Sequence, residues 1–302
     1  MAINEIKKVP MKSFENLLIN FGISTKSSIK EFHPRVRDSE EIKVLKCEQS
    51  GVLFLDNIAQ GSEDTYKNMD DFSYYNKEWS PQKENNPIIF EDDHRRKADF
   101  VHLIKGKDWV DFGCGSGGLL RLAHTEAKSA AGIELQTGFR NSLNEMGINC
   151  VGDINDIEDD SCDIITLFHV YEHLDEPVAI LKALKSKLRK SGVIVIEVPQ
   201  AKDILISFDP FKDFVFWSEH LILHTKESLK EFVKHSGFKA QKIEGYQRYP
   251  LSNHLHWVFK SKPGGHEKWS FLNNKIIEKV YSRFLRMTDK TDTLIAYLSK
   301  DS

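Results

Sequence analysis

The sequence Lys107-Asp-Trp-Val-Asp-Phe-Gly-Cys-Gly-Ser-Gly-Gly118 decides the fold of this chain. Hydrophobic residues lead into Asp111, glycines follow at alternate positions, and Leu119, Leu120 and Leu122 begin a helical pattern. A strand, a glycine turn and a helix in this order present backbone N–H groups to a ligand at the carboxyl edge of a parallel α/β sheet. Glycine suits the turn because it adopts positive φ and has no Cβ to hold a ligand away.

The spacing excludes two other glycine-rich loops. A phosphate loop ends in Gly-Lys-Ser/Thr, which this turn lacks. A dinucleotide-binding turn needs Gly-x-Gly-x-x-Gly, and here Leu120 occupies the place of the third glycine.

Three further motifs follow the turn. The hydrophobic strand Ser129 to Ile133 ends in Glu134, about 20 residues after the glycines, where an acid meets ribose hydroxyls in nucleotide-binding α/β folds. Val151-Gly-Asp-Ile154 comes next, and then Asp163-Ile-Ile-Thr-Leu-Phe-His-Val-Tyr-Glu-His-Leu174.

Together the four motifs resemble those of class I S-adenosylmethionine-dependent methyltransferases. The resemblance implies that S-adenosyl-L-methionine is the cofactor and that Asp111 contacts its amino-acid end through the turn. It further implies that Glu134 binds both ribose hydroxyls and that Asp153 and Ile154 hold the adenine. We expect no chemical role for the Cys114 thiol, because the turn requires only a small residue at this position. The implied cofactor-binding residues are Asp111, Gly113, Cys114, Gly115, Gly117, Glu134, Leu135, Asp153, Ile154 and His169.

Alternating hydrophobic strands and helices after residue 107 predict an α/β fold with a doubly wound, mostly parallel sheet. The resemblance implies seven strands. Strands at 239–246 and 292–298 are expected to pair as an antiparallel edge, with a helical insertion at about 250–290 between them. We divide the chain into an N-terminal extension, residues 1–90, and a methyltransferase domain, residues 91–302.

The N-terminal extension shows a short helix at 13–22 and two short strands, Val44 to Cys47 and Val52 to Leu55. The two strands resemble a cysteine-containing hairpin that precedes many sugar-modifying methyltransferases. Ser50 replaces the second cysteine of that pattern, so we expect no zinc there. Aromatic residues scattered through residues 60–88 suit either a lid over the substrate or a loop docked on the core.

Composition indicates an ordinary globular protein. The chain has 302 residues, 40% of them hydrophobic, and a formal net charge of −3, which argues against nucleic acid as a partner. The basic tract Arg95-Arg96-Lys97 is expected to form a solvated helix face. No run of 18 apolar residues occurs, and no N-terminal apolar leader is seen, so we expect neither a membrane partner nor secretion. Four cysteines without a Cys-x-x-Cys pair indicate a reducing, cytoplasmic environment and no metal site.

A hydroxyl or carbon acceptor must lose a proton, and histidine is the usual base near neutral pH. His220 is our first candidate, because Trp217-Ser-Glu-His220 resembles the Glu-His loop of sugar methyltransferases, where a histidine is the suggested base. His173 and His254 are the next candidates for catalysis. Arg248 suits an anionic group of the substrate. The predicted substrate-binding residues are Glu219, Arg248 and Asn253.

The sequence therefore predicts methyl transfer to a small polar acceptor, with a saccharide or nucleotide-sugar of surface-polysaccharide or natural-product biosynthesis preferred. An O-methyltransferase of quinones or other aromatic metabolites is one alternative. A cofactor-binding protein without turnover is another. The acceptor atom and the oligomeric state are not determined by the sequence.

Overall fold

A computed structural model describes residues 14–57 and 89–300 of the chain. The segment interpreted as a lid or a docked loop, residues 60–88, lies outside these described residues.

Most helices and strands fall where the sequence patterns predict them. The helices are α1 Phe14–Asn20, α2 Glu91–Ile104, α3 Gly118–Ala123, α4 Thr137–Glu145, α5 Pro177–Lys187, α6 Asp209–Val215, α7 Lys226–His235, α8 Leu251–Lys260, α9 Gly265–Lys268 and α10 Lys275–Met287. The strands are β1 Ile29–His33, β2 Val44–Cys47, β3 Leu53–Leu55, β4 Asp108–Phe112, β5 Ser129–Ile133, β6 Asn149–Val151, β7 Cys162–Phe168, β8 Leu188–Pro199, β9 Ile222–Leu223, β10 Phe238–Tyr246 and β11 Thr293–Lys300.

Seven strands of the described residues form one sheet in the order β10-β11-β8-β7-β4-β5-β6. β4 lies in parallel between β5 and β7, and its Asp111 is in register with Gly132 and Thr166. Among the seven, only β11 runs against the others, because it pairs antiparallel with both β8 and β10. The predicted mostly parallel, doubly wound sheet with an antiparallel pair at one edge is confirmed.

Helices cover both faces of this sheet, because consecutive residues of a strand point to opposite sides. On one face Ile165 packs in a cluster with Leu184 of α5. On the other face Ile164 packs with Phe100 of α2 and Leu143 of α4. The sheet is therefore buried on both sides, and its carboxyl edge is left open for a ligand.

The N-terminal strands belong to a second sheet with the order β1-β2-β3-β9. β2 and β3 form the predicted antiparallel hairpin, and Leu53 of β3 pairs with Leu223 of β9. Phe14 of α1 stacks on Phe232 of α7 with a centroid distance of 6.4 Å. The division at residue 90 stays a prediction about domains, but strands from both sides of it share one sheet.

Three helices lie between β10 and β11, where the sequence predicts a helical insertion. A Cβ on Gly265 would lie 2.4 Å from Cβ of His256, so α9 packs directly against α8. No helix of the described residues is both long and apolar enough to span a bilayer.

Candidate functional site

A cavity of about 1090 Å³ opens above the carboxyl ends of the parallel strands. The residues that follow β4, β5, β6 and β7 line it, together with His220, residues of α2 and residues of the segment after β10. Ligand sites in proteins commonly have volumes of roughly 300–1,000 Å³, so this cavity has room for a cofactor beside a small acceptor.

The glycine turn after β4 forms one wall of the cavity. Gly113 and Gly115 have φ values of 69° and 54°, and both line the cavity together with Cys114. A Cβ on Gly113 would lie 2.6 Å from a methyl carbon of Val170, so the turn tolerates no side chain there. The backbone of this turn is thus directly exposed to a ligand.

Two predicted cofactor residues of this motif lie outside the cavity wall. Gly117 precedes α3 with φ of 72°, and a Cβ there would lie 2.4 Å from Leu143. Asp111 is buried beneath the turn, where its carboxylate accepts a hydrogen bond of 2.6 Å from the Thr166 hydroxyl. Burial raises the pKa of Asp111 to about 7. Both residues shape the turn from behind, and their roles in cofactor binding stay predictions.

Glu134 stands at the end of β5 with its carboxylate in the cavity wall. Its two oxygens accept hydrogen bonds of 2.8 Å from the backbone N–H groups of Gly115 and Gln136. A carboxylate has about four acceptor positions, so two remain for a ligand. Burial raises the pKa of this carboxyl, although the two backbone donors favour its charged form. The position and the spare acceptor capacity suit a pair of ribose hydroxyls.

The predicted adenine-binding residues lie farther along the same wall. Leu135, Asp153 and Ile154 all line the cavity. Asp153 caps a short 3-10 helix, because its carboxylate accepts a hydrogen bond of 2.8 Å from the backbone N–H of Asn155. These three residues offer an apolar surface beside one carboxylate.

His169 follows β7 and joins the cavity wall to a buried acid network. Its φ is 55°, which is uncommon for a residue with a side chain. Its Nδ1 lies 2.9 Å from the carboxylate of the fully buried Glu172, and its Nε2 lies 3.4 Å from that of Glu197. Burial and the charge of Arg248 oppose protonation, but the two acids raise the pKa of His169 above its usual value. His169 is therefore fixed in place by acids on both sides.

The basic tract of α2 is not a solvated face. Arg95 donates two hydrogen bonds, of 2.8 and 3.0 Å, to the carboxylate of Glu197, and Arg96 donates two more. Glu197 lies on β8 and is fully buried. Although burial opposes ionisation, the charge of Arg96 and the His169 bond hold the pKa of Glu197 well below its usual range. Both arginines line the cavity, which the sequence pattern does not reveal because their partner lies about a hundred residues away.

His173 and His220 lie close together in the cavity wall. Their ring centroids are 5.0 Å apart, and both residues line the cavity. Nδ1 of His173 lies 2.8 Å from the carbonyl oxygen of Glu219, and Nδ1 of His220 lies 3.2 Å from that of Val215. A carbonyl only accepts, so each Nδ1 donates and the Nε2 of a neutral ring carries a lone pair.

Glu172 completes this group. One ligand atom from each of Glu172, His173 and His220 lies within 4.8 Å of the other two, which makes the trio a geometric candidate for a metal ion. One oxygen of the buried Glu172 carboxylate has no partner among the described residues. Burial disfavours its charge, but the hydrogen bond from His169 and the nearby imidazoles lower the pKa of Glu172 to about 2. The sequence reasoning expected no metal and did not identify this trio.

Arg248 extends from the segment after β10 into the cavity wall. Its guanidinium contacts the carboxylate of Asp92 and lies 2.6 Å from Nε2 of His169. Burial disfavours its charge, but Asp92 raises the pKa of Arg248 above its usual value. Nε of Arg248 is buried with no partner among the described residues. The side chain is thus a permanent cation at the cavity surface.

The other predicted residues of this region do not reach the cavity. His254 is buried, with Nδ1 2.7 Å from the Tyr281 hydroxyl, and burial lowers the pKa of its ring to about 4. Asn253 accepts a hydrogen bond of 3.1 Å from the backbone N–H of Gly265. Glu219 contributes its backbone carbonyl to His173, and its side chain does not line the cavity. His254 and Asn253 make contacts within the helical insertion, and their predicted roles in catalysis and substrate binding stay predictions.

Comparison with known proteins agrees with this geometry. The sequence profile of a family described as "Methyltransferase domain" matches residues 89–243, just over half of the chain. No curated protein matches the sequence significantly.

Many solved structures share the fold. A SAM-dependent methyltransferase from Archaeoglobus fulgidus has a TM-score of 0.50 and 20% identity, and the match covers 68% of this chain and 92% of that one. An S-adenosylmethionine-dependent methyltransferase from Mesorhizobium loti has a TM-score of 0.44 and 13% identity, covering 68% and 97%. A Burkholderia thailandensis 1,6-didemethyltoxoflavin-N1-methyltransferase, with bound S-adenosylhomocysteine, has a TM-score of 0.45 and 13% identity, covering 70% and 79%. The chain belongs to the methyltransferase-domain family and has the Rossmann-like fold of S-adenosylmethionine-dependent methyltransferases.

Proposed function

We propose that this methyltransferase transfers a methyl group from S-adenosyl-L-methionine to a small polar acceptor, a saccharide or nucleotide-sugar of polysaccharide or natural-product biosynthesis. The observation that carries the proposal is that two unlike groups of residues line one cavity, and we call these groups its first and second sides. One side offers the glycine turn and Glu134, and the other offers Arg248, His173 and His220.

The first side fits the cofactor. Bare backbone at Gly113 and Gly115 accepts a ligand at close range, and Glu134 keeps two acceptor positions for ribose hydroxyls. Leu135 and Ile154 supply apolar contacts for a purine. When bound, the cofactor supplies an activated methyl group, so the protein has to bind, orient and exclude water.

The second side suits proton removal from an acceptor. Burial lowers the pKa of His220 to about 3, so its ring is neutral at physiological pH and its Nε2 lone pair is available. A ring with so low a pKa is a weak base on its own. The Glu172 carboxylate beside it stabilises the imidazolium that proton transfer creates. We assign His220 as the base and His173 as its neighbour, which orients the acceptor.

The charge of the second side favours a polar acceptor over a quinone. Arg248 is a cation suited to a carboxylate or phosphate. Tyr249, His266 and Asn273 also line this side and suit the ring faces and hydroxyl groups of a sugar. An acceptor that carries both hydroxyls and a phosphate matches this set.

Calorimetry with S-adenosylhomocysteine tests the cofactor half of the proposal. We expect wild-type binding, and for Glu134→Ala a loss of about hundredfold or more in affinity, because hydrogen bonds to a charged group contribute about 1.5–3 kcal/mol each. Glu145→Ala, on the exposed face of α4, is the matched control and should bind as the wild type does. Equal affinity for all three proteins would show that Glu134 does not hold the ribose.

Turnover with a panel of acceptors tests the substrate half. Nucleotide-sugars and quinols are incubated with the cofactor, and methylated products are identified by mass spectrometry. We expect products from the phosphate-bearing sugars, reduced at least tenfold by Arg248→Ala. Methylation of the quinols alone would favour the aromatic alternative, and tight binding without any product would favour a binding protein.

A further inference from the structure

The helix α10, Lys275–Met287, leaves an apolar stripe uncovered by the described residues. Ile276, Val280 and Met287 are 74%, 64% and 77% exposed, and Ile277 and Phe284 are also exposed. At 3.6 residues per turn these five side chains fall within about a third of the helix circumference. Single exposed apolar residues are ordinary, but a continuous stripe of this kind marks an interaction surface.

The opposite side of α10 is already occupied. Leu285 is fully buried, and the Tyr281 hydroxyl lies 2.7 Å from Nδ1 of His254. The Glu278 carboxylate accepts a hydrogen bond of 3.1 Å from the backbone N–H of Leu251. These contacts fix the rotation of α10 about its own axis, so the apolar stripe faces away from the rest of the described residues.

Positive charge runs beside the stripe. Lys275, Lys279, Arg283 and Arg286 recur at spacings of three and four residues, which places all four along one flank of the apolar side chains. The insertion from residue 251 to residue 287 carries seven Lys and Arg against two Glu, in a chain whose formal net charge is −3. The insertion therefore combines a net positive charge with several of the most exposed apolar side chains of the described residues.

We propose that α10 binds the surface of an anionic lipid bilayer, with the helix lying in the plane of the interface. An apolar face flanked by Lys and Arg is the arrangement that inserts among acyl chains while the cations contact anionic headgroups. A second copy of the chain is a poorer occupant, because its stripe carries the same cations and offers no anionic groups to pair with them. Lying on a bilayer differs physically from spanning one, for which no described helix is suited.

The surface adjoins the cavity without being part of it. Asn273 lies two residues before α10 and lines the cavity, as does His266 of α9. Docking of α10 brings this wall of the cavity close to the headgroups, where a lipid-linked acceptor would be presented. Binding itself requires neither cofactor nor acceptor, so it is tested independently of the proposed activity.

Vesicle flotation of the full chain tests the proposal. Vesicles of phosphatidylcholine with and without 40% phosphatidylglycerol are mixed with the protein at about 0.1 M salt. We expect at least tenfold stronger partitioning into the anionic vesicles. Ile276→Ser with Val280→Ser should reduce it at least tenfold, and Lys279→Glu should reduce it about fivefold. Met146→Ser, an exposed apolar residue at the end of α4, is the matched control and should partition as the wild type does. Thermal melting confirms that each variant is folded.

Three outcomes overturn the proposal. One is no partitioning of the folded wild type into anionic vesicles. Another is partitioning that the double serine variant retains, which would place the lipid contact elsewhere. The third is a wild-type dimer by light scattering that the double variant converts to a monomer, which would assign the stripe to self-association.

Discussion

The imidazoles of His173 and His220 are the side chains best placed for proton transfer, and the residues around them hold both rings in place. Backbone carbonyls fix each Nδ1–H, and Glu172 supplies a buried negative charge within 4.8 Å. The sequence analysis named His173 as a candidate for catalysis but did not predict that it would lie beside His220. That contact depends on the segment between β8 and β9, which contains α6 and whose course no local pattern specifies.

We expect His220→Ala to slow methyl transfer by about 10²- to 10⁴-fold while S-adenosylhomocysteine binds within about twofold of the wild type. The ring contributes a lone pair and belongs to the group of lining residues that we assign to the acceptor, so its loss should affect the acceptor rather than the cofactor. Single-turnover rates and calorimetry measure the two effects separately. His102→Ala, on the exposed side of α2, serves as the control. A wild-type rate for His220→Ala would make the base assignment wrong.

A chelator distinguishes this role from a metal-assisted one. Since we assign the trio of Glu172, His173 and His220 to proton transfer, turnover should be unchanged after dialysis against EDTA. A loss of rate that a divalent cation restores would instead assign the trio as metal ligands.

At the scale of helices and strands, the glycine turn depends on what packs beneath it. Gly132 of β5 lies under the turn, where an added Cβ would be 2.6 Å from Sγ of Cys114 and 2.9 Å from Leu120. Cys114 is buried on one side against Cys150, with the two sulfurs 3.8 Å apart. Its size, rather than its thiol chemistry, therefore matters to the turn.

We expect Gly132→Ala to lower the free energy of unfolding by about 1–3 kcal/mol, since it overpacks a tight contact between sheet and helix. Adding Cys114→Ala should recover part of that loss by removing the closest atom. Cys114→Ala alone should keep full turnover. Urea denaturation measures the stabilities, and failure of the double variant to recover any stability would contradict this packing account.

The strands and helices predicted from alternating hydrophobic residues and from glycines at their ends agree with the structure. The strands that were missed lacked such patterns. β1 has a mixed burial pattern, and β9 has only two residues. α8 lies within the predicted helical insertion, but the burial of its Asn253, His254 and His256 was not predicted. Polar residues at helical spacing gave no indication that their partners lie in the insertion itself.

For the molecule as a whole, buried ionisable groups set the pH dependence of stability. Burial lowers the pKa of His220 and His224 to about 3. As the pH drops below about 6.5, these rings therefore take up protons in the unfolded chain but not in the folded chain, and the free energy of unfolding falls. Burial raises the pKa of Asp203 to about 8 and that of Asp111 to about 7. The folded chain retains these protons as pH rises, so stability falls again toward pH 8.

Between pH 6.5 and 8, Asp203 and Asp111, whose pKa values are raised, are the groups among these four that change the stability. We therefore expect the free energy of unfolding to decrease over this range. Asp203→Asn keeps a side-chain acceptor for the backbone N–H of Leu205 but carries no charge. Its stability relative to the wild type should therefore increase from pH 4 to about pH 8 and then level off. Asp156→Asn, on an exposed turn, should show no such trend. Denaturation curves at several pH values measure the difference, and a pH-independent difference for Asp203→Asn would contradict the burial effect.

Local sequence patterns were enough to predict most strands and helices of the large sheet, the glycine turn and the acid at the end of β5, because each depends on residues close together in the chain. Which side chains face the cavity follows instead from long-range packing. Arg95 and Arg96 were predicted to lie on the surface, but they bind Glu197, about a hundred residues away. His254 contacts Tyr281 within the insertion. A buried charge or ring must find a hydrogen-bond partner, and the folded chain supplies those partners from segments distant in the sequence.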